Sequence, residues 1–248
     1  MSSEKPLILL IPGEWHQANT FENVATILRA QGYPIQTMTL LSVGGPTSAT
    51  VADDAKHIRQ RYLTQLVTEG KEVIVVMHSY SGIPGTESIK GFTRKDLAAQ
   101  GRKGGVVGLV YITAFLVAAG GSVASILDEY MDYAMTFDGD ITYPKSPREK
   151  FYNDFDDETA AKHISALLYH AKASFYTSLT YEAYRLVPTT FVFCKQDASM
   201  PLEAQQSMVA AVGEGMVRTY TCAGGHCPML SMPQTVADVI HDTAMNGV

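Results

Sequence analysis

Ser79, His226 and Asp197 are the residues whose types and places in the chain allow nucleophilic acyl chemistry. A serine hydroxyl near neutral pH is a weak nucleophile until a base takes its proton, and histidine is the side chain suited to that task. The base in turn needs a carboxylate to hold its tautomer and orientation. Ser79 stands in Val75-Val76-Met77-His78-Ser79-Tyr80-Ser81-Gly82, directly after an apolar run and directly before a helical pattern. A sharp turn there lifts the hydroxyl above a sheet edge and aims the following N–H groups at any oxyanion formed beside it. Such a turn favours small residues. Ser81 and Gly82 comply, Met77 does not, and the strict G-x-S-x-G string is absent. The competing reading of Ser79 is a plain helix N-cap.

Seven histidines are present, and His226 is the one placed for a base. It lies in Cys222-Ala-Gly-Gly-His-Cys-Pro, after the last expected strand and before the last helix, where glycines let a loop swing the imidazole over the sheet edge. His57 and His241 read as helix-surface residues, and His163 and His170 as packing within an insertion. His78 adjoins Ser79, but a sharp turn is expected to point its ring away. Asp197 follows another expected strand and precedes Met200-Pro201. Its competing reading is a turn or cap aspartate.

An oxyanion needs two donors. The Tyr80 amide is one, and the loop Pro12-Gly13-Glu14-Trp15-His16 is expected to give the Glu14 amide as the other. Trp15 and His16 are expected to line the pocket, with core packing the alternative for Trp15. Met131, Tyr133, Met135, Phe137 and Tyr143 are further lining candidates, unless they simply pack the insertion onto the sheet.

The elements that must position these groups read as an alternation. Apolar runs at Pro6–Pro12, Ile35–Leu40, Lys71–His78, Val106–Phe115, Thr189–Phe193 and Met216–Thr221 predict six strands. Helical patterns follow at Thr20–Gln31, Thr50–Glu69, Ser81–Lys90, Leu202–Val212 and Gln234–Met245. The Thr50 helix carries a variant capping box with Asp53. Strand and helix alternating at this spacing imply right-handed βαβ units and a mainly parallel sheet of about six strands, covered by helices on both faces. From Val117 to about Arg185 no buried strand stands out, and stretches such as Asp156–His170 read as helix. Residues 117–185 are therefore expected to form a helical cap insertion between two parts of the core, 1–116 and 186–248. A peripheral helical layer is the alternative.

Composition narrows the function classes. A chain of 248 residues with 46% hydrophobic and 18% charged side chains is ordinarily globular. A net charge of −6 argues against a nucleic-acid partner, since phosphate binding needs basic surface. Three cysteines, an odd count, fit a reducing compartment and no disulfide framework. No stretch reaches the length of a membrane span or a signal-peptide core, so a cytoplasmic protein with no membrane partner is expected. No P-loop or dinucleotide glycine motif follows a strand, and no cofactor or metal is implied. The expected partner is a small-molecule substrate; oligomeric state, a homodimer included, stays open.

The segments ILLIPGEWH, VIVVMHSYSG, GGVVGLVYITAF, FCKQDASMP and AGGHCPMLSMP resemble the α/β-hydrolase superfamily. The likeness is strongest to its small branch of plant methylesterases, hydroxynitrile lyases and fungal and bacterial esterase-like enzymes. Serine, then aspartate, then histidine is that fold's chain order. The resemblance implies an α/β-hydrolase fold with Ser79 as nucleophile, His226 as base, Asp197 as acid and the Glu14 and Tyr80 amides as oxyanion hole. Pro12 stands where histidine is frequent, and Met77 and Ser81 stand where glycine is usual. The implied activity is hydrolysis of a carboxylic ester or lactone through an acyl-enzyme. Two alternatives remain: a lyase, cyclase or carbon–carbon bond-cleaving enzyme on the same three residues, and a receptor that keeps them for binding. A serine at position 79 disfavours the epoxide hydrolases and dehalogenases, which place aspartate there.

Overall fold

Runs of valine, isoleucine and leucine with no polar alternation suit strands buried on both faces, as in a parallel sheet. The computed structural model, which describes residues 5–128, 131–213 and 215–246, forms such strands at β1 (Leu7–Ile11), β3 (Glu72–His78) and β4 (Gly105–Ile112), with the half-buried β2 (Ile35–Thr37) between β1 and β3 in the chain. Within the insertion lie β5 (Met135–Asp138), β6 (Ile141–Pro144) and β7 (His170–Ala171). The core resumes with β8 (Thr189–Cys194) and β9 (Arg218–Cys222). The large sheet runs in the order β2-β1-β3-β4-β8-β9, and every neighbouring pair is parallel. The strand order reverses beside β1, and in open α/β sheets ligands bind outside the carboxyl ends of strands at such a point.

Helices flank this sheet at Glu22–Ala30, Val51–Ile58, Gly82–Ser88, Leu202–Val212 and Pro233–Asn246. The Thr50 capping box forms: Asp53 N–H donates to Thr50 Oγ1, and Thr50 N–H donates to Asp53 Oδ2 at 3.0 Å. The long helix expected from Thr50 is interrupted by a wider turn at Arg59–Leu63 before continuing to Thr68. β2 is shorter than expected, ending at Thr37 rather than Leu40.

The insertion departs from a purely helical reading. It has helices, such as Val123–Leu127 and Asp157–Ser165, but it also has a three-stranded antiparallel sheet, β5-β6-β7. β5 and β6 form a hairpin in which Asp138 pairs with Ile141 across Gly139-Asp140, and Gly139 sits at φ 57°, as a two-residue hairpin turn requires. His170, expected to end a helix, instead pairs with Thr142. Among the described residues, no helix is long and apolar enough to cross a membrane.

Candidate active site

β3 ends at His78, and the chain turns at once into the helix that begins at Gly82. Ser79 carries the turn at φ 54°. That left-handed backbone is costly for a residue with a Cβ and persists only where its surroundings impose it. Ser81 imposes it in part: its hydroxyl accepts from His78 N–H and lies 2.8 Å from the carbonyls of both Ile11 and His78. Met77 does not narrow the site. It is buried and points into the layer between β3 and the helix, where Gly85 makes room. A Cβ at Gly85 would meet the Met77 sulfur at 2.5 Å.

Ser79 Oγ lies 3.0 Å from His226 Nε2, and His226 Nδ1 lies 2.8 Å from Asp197 Oδ2. A carboxylate only accepts, so Nδ1 carries the proton. All three residues are buried. Asp197 also serves the turn that was its competing reading, since its Oδ1 accepts from the amides of Ser199 and Met200 at 2.8 Å each. Its Oδ2 takes His226 and the Thr113 hydroxyl. The carboxylate is thus fully bonded and fixed. Burial pulls the basicity of His226 down. The charge of Asp197, the bond to it and the charge of Glu14 outweigh that, so the imidazole titrates above its ordinary 6.5.

Behind these groups His78 has work that its place in the sequence did not suggest. Its ring accepts from Gly13 N–H through Nδ1 at 3.3 Å and donates through Nε2 to the His226 carbonyl at 2.8 Å. One side chain therefore ties the loop after β1 to the loop bearing His226. Burial, then the neighbouring His226 and His16, holds His78 well below its ordinary range, so it is neutral. The insertion braces the same loops: Asp154 accepts from Gly225 N–H and Ser231 Oγ, and Asn153 donates to the Gln196 carbonyl.

The oxyanion side differs from expectation. Tyr80 N–H donates to the carboxylate of Glu14, whose Oε2 lies 3.0 Å away. The same oxygen is 3.0 Å from Ser79 Oγ. It is the Glu14 side chain that enters the site. Gly13 permits this proximity, since a Cβ there would stand 2.7 Å from the Ser79 Cβ. The Tyr80 ring points away, and its hydroxyl donates to the buried Asp54 at 3.0 Å. Asp54 also accepts from Ser42.

Above Ser79 lies a cavity of about 100 Å³. Ile126, Leu127, Met135 and Phe151 of the insertion roof it, with Phe115 and Met208 from the core. Of the expected lining residues, Trp15 and Met135 are there. The others are corrected by the structure. His16 turns behind the loop, donating to the Glu14 carbonyl and meeting the Tyr152 hydroxyl, and burial lowers its pKa to about 4. Met131 and Phe137 line a separate cleft beside Asp128 and Tyr176. Tyr133 and Tyr143 are 70% and 43% exposed. For Tyr143 the reason is the hairpin: alternation along β6 turns Thr142 inward and Tyr143 outward. Phe115, Phe151 and Met208 were missed because residues from three separate elements converge only in the fold. Cys227 is buried against His16, and burial raises its thiol well above the ordinary range.

A sequence model of the alpha/beta hydrolase family matches residues 8–239. The chain belongs to that family. Alpha/beta hydrolase nvfD of Aspergillus novofumigatus is 30% identical, the alignment covering 98% of this chain and 98% of that one. Methylesterase 1 of Arabidopsis thaliana is 24% identical over 96% of each chain. The crystal structure of a pyrethroid hydrolase from Sphingobium faniae covers 97% of this alpha/beta hydrolase and 98% of its own chain, with a TM-score of 0.74 and 21% identity. At that identity the likeness speaks for the fold alone.

Proposed function

We propose that this alpha/beta hydrolase is a serine esterase, cleaving a carboxylic ester or lactone of a small to medium, largely apolar substrate through an acyl-enzyme. The observation that carries the reading is the buried chain Ser79–His226–Asp197, with contacts of 3.0 and 2.8 Å, at the carboxyl edge of the sheet and open to a cavity. Ser79 Oγ attacks the carbonyl carbon while His226 Nε2 takes its proton. Charge collects on the carbonyl oxygen beside the Tyr80 amide, with the Glu14 amide as second donor. The tetrahedral species then collapses, and His226 passes the proton to the leaving alcohol. Water, deprotonated by His226, releases the acid and restores Ser79. The resemblance to a methylesterase supports an ester as the class of substrate. A cavity near 100 Å³ is smaller than the roughly 150 Å³ that admits benzene, which favours a small acyl or alcohol group against Ser79.

A second reading is favoured by the carboxylate of Glu14. With His226 on one side of Ser79 and Glu14 on the other, two proton-transfer groups flank one hydroxyl, as a lyase or cyclase would use. Intact-mass labelling with a fluorophosphonate, run on the wild type and on Ser79→Ala beside turnover of short p-nitrophenyl esters, separates these. One adduct and ester turnover, both lost in the variant, is the expected result. No adduct and no turnover from the folded wild type would sink the esterase reading.

A further inference from the structure

Resting on the esterase reading, we infer that Glu14 is a specificity gate. Its carboxylate holds the oxyanion hole until a substrate with its own hydrogen-bond donor beside the scissile carbonyl takes that carboxylate over.

The placement comes first. Oxyanion donors act on an oxygen about 2.7–3.1 Å away, and Glu14 Oε2 already stands 3.0 Å from the Tyr80 amide and 3.0 Å from Ser79 Oγ. An incoming carbonyl oxygen needs that same place. A carboxylate left there would also face the developing oxyanion, like charge against like at contact distance in a buried site. Glu14 must therefore leave the Tyr80 amide for acylation to occur.

Proton accounting gives the same answer. Ser79 has one proton and two flanking acceptors, His226 Nε2 and Glu14 Oε2. If His226 is neutral and Glu14 ionised, one acceptor faces a lone pair of Oγ at 3.0 Å. Both contacts become attractive when one further proton is present, on His226 or on Glu14. The raised basicity of His226, to which the charge of Glu14 contributes, fits the first arrangement: Nε2–H donates to Oγ, and Oγ–H donates to Glu14. That arrangement is satisfied but idle, because His226 holds the proton it must be free to accept.

The backbone of the loop cannot carry the carboxylate away. Gly13 is against Ser79 Cβ and bonded to His78. Trp15, at φ 61°, is anchored in the insertion by its Nε1–H donating to the Thr142 carbonyl at 3.1 Å. The side chain must rotate instead, into a cavity with no lysine or arginine in its lining among the described residues. Among the described residues the polar lining side chains apart from Glu14 are Ser79, Ser199 and His226, and the first and last are engaged in the reaction. A displaced carboxylate among Trp15, Phe115 and Met135 needs a donor beyond the Ser199 hydroxyl, since burying a charge with too few is costly. A hydroxyl or ammonium on the substrate supplies it; a plain alkyl ester does not.

The test compares wild type, Glu14→Ala and Glu14→Gln. Second-order rates of fluorophosphonate labelling are measured by intact mass. The kcat/KM ratio of methyl lactate to methyl propanoate, which differ by one hydroxyl beside the carbonyl, is normalised to hydroxide hydrolysis of the two esters. Glu14→Ala should label about tenfold faster or more, because a site competent only when open reacts in proportion to its open fraction. Its normalised ratio should fall to about one, no preference beyond that of hydroxide, from a wild-type value well above one. Glu14→Gln keeps the volume and an acceptor for Tyr80 but not the charge, and should lie between. It also carries the comparison should Glu14→Ala fail to fold. Equal or slower labelling of the folded variants overturns the gate while leaving Ser79 as nucleophile. Faster labelling with an unchanged ester ratio overturns the demand for a substrate donor. No adduct on any of the three proteins overturns the esterase reading, and the gate falls with it.

Discussion

The two sides of Ser79 are built on different terms. On the base side the partners of the Asp197 carboxylate all survive the proposed reaction: it spends one oxygen on two backbone amides and the other on Thr113 and His226. On the oxyanion side the Tyr80 amide is bonded to a side chain that must move before a carbonyl can use it. The base side is thus preorganised, and the oxyanion side is preorganised in its backbone but held by an exchangeable carboxylate. The lesson is that one active site can hold its general base rigidly and still make access to transition-state stabilisation conditional.

Asp197→Asn should break the rigid side with the largest effect. The amide oxygen can keep the Ser199 and Met200 turn. Its NH₂ then faces His226 Nδ1, which must become the acceptor, so the ring proton moves to Nε2 and Ser79 loses its base. Turnover of p-nitrophenyl acetate should fall by roughly 10⁴-fold, the scale of a wrong tautomer. A fall of less than about tenfold in kcat, with the melting temperature unchanged, would remove Asp197 from the chain.

His78 joins the two sides, and changing it should affect both. His78→Ala frees the Gly13 amide and the His226 carbonyl together, and the resulting misplacement should lower kcat by roughly 10²-fold. His78→Gln, whose amide can accept from Gly13 and donate to His226, should recover most of that loss. A purely packing role predicts a loss of stability without rescue of kcat by glutamine. The readout is kcat against KM for the two variants, with KM expected to change little.

A pH profile sharpens the contrast without removing any contact. The reaction needs His226 neutral, so kcat/KM must fall as pH drops through its pKa, which lies above 6.5. Glu14 is one of the charges that raises it, after Asp197. In Glu14→Gln the acid limb should therefore shift to lower pH. An unshifted limb would mean that Glu14 is neutral, or absent from the site, in the working enzyme.

How legible these features were follows from their physics. β1, β3 and β4 are buried on both faces, so they appear in the sequence as unbroken apolar runs. Ser79 and Asp197 follow the buried strands β3 and β8, and His226 follows the largely exposed edge strand β9, so their meeting was readable from chain order. The hairpin Met135–Pro144 was not readable in the same way. Its strands alternate over only four residues each, which is too brief a period to stand out beside helical neighbours. The His78 ring does turn from Ser79, but that expectation said nothing of the Gly13 and His226 groups it binds instead. A histidine at the end of a fully buried strand must be hydrogen-bonded to something. The carboxylate of Glu14 lay beyond reach: reasoning about oxyanion loops concerns backbone amides. That a side chain folds back onto Tyr80 depends on the Gly13–Trp15 turn, not on residue type.

The smallest expected effect tests what holds the Glu14 loop still. Trp15 adopts φ 61°, packs on Phe151 and Phe175, and gives its indole N–H to the Thr142 carbonyl. Trp15→Phe keeps an aromatic ring and the backbone turn but leaves that carbonyl without its indole donor. Thr142 still pairs with His170 in the β6–β7 ladder, so one hydrogen bond is lost, about 0.5–1.5 kcal/mol. At roughly 2–4 °C per kcal/mol for a domain of this size, the melting temperature should drop by about 1–6 °C. The insertion would grip the loop less tightly, so Glu14 should leave Tyr80 more readily and fluorophosphonate labelling should rise by about two- to threefold, well short of Glu14→Ala. Lower stability with slower labelling would show instead that Trp15 is needed to shape the site. The position of Glu14 would then depend on the core turn alone, and the contrast between the two sides would owe nothing to the insertion.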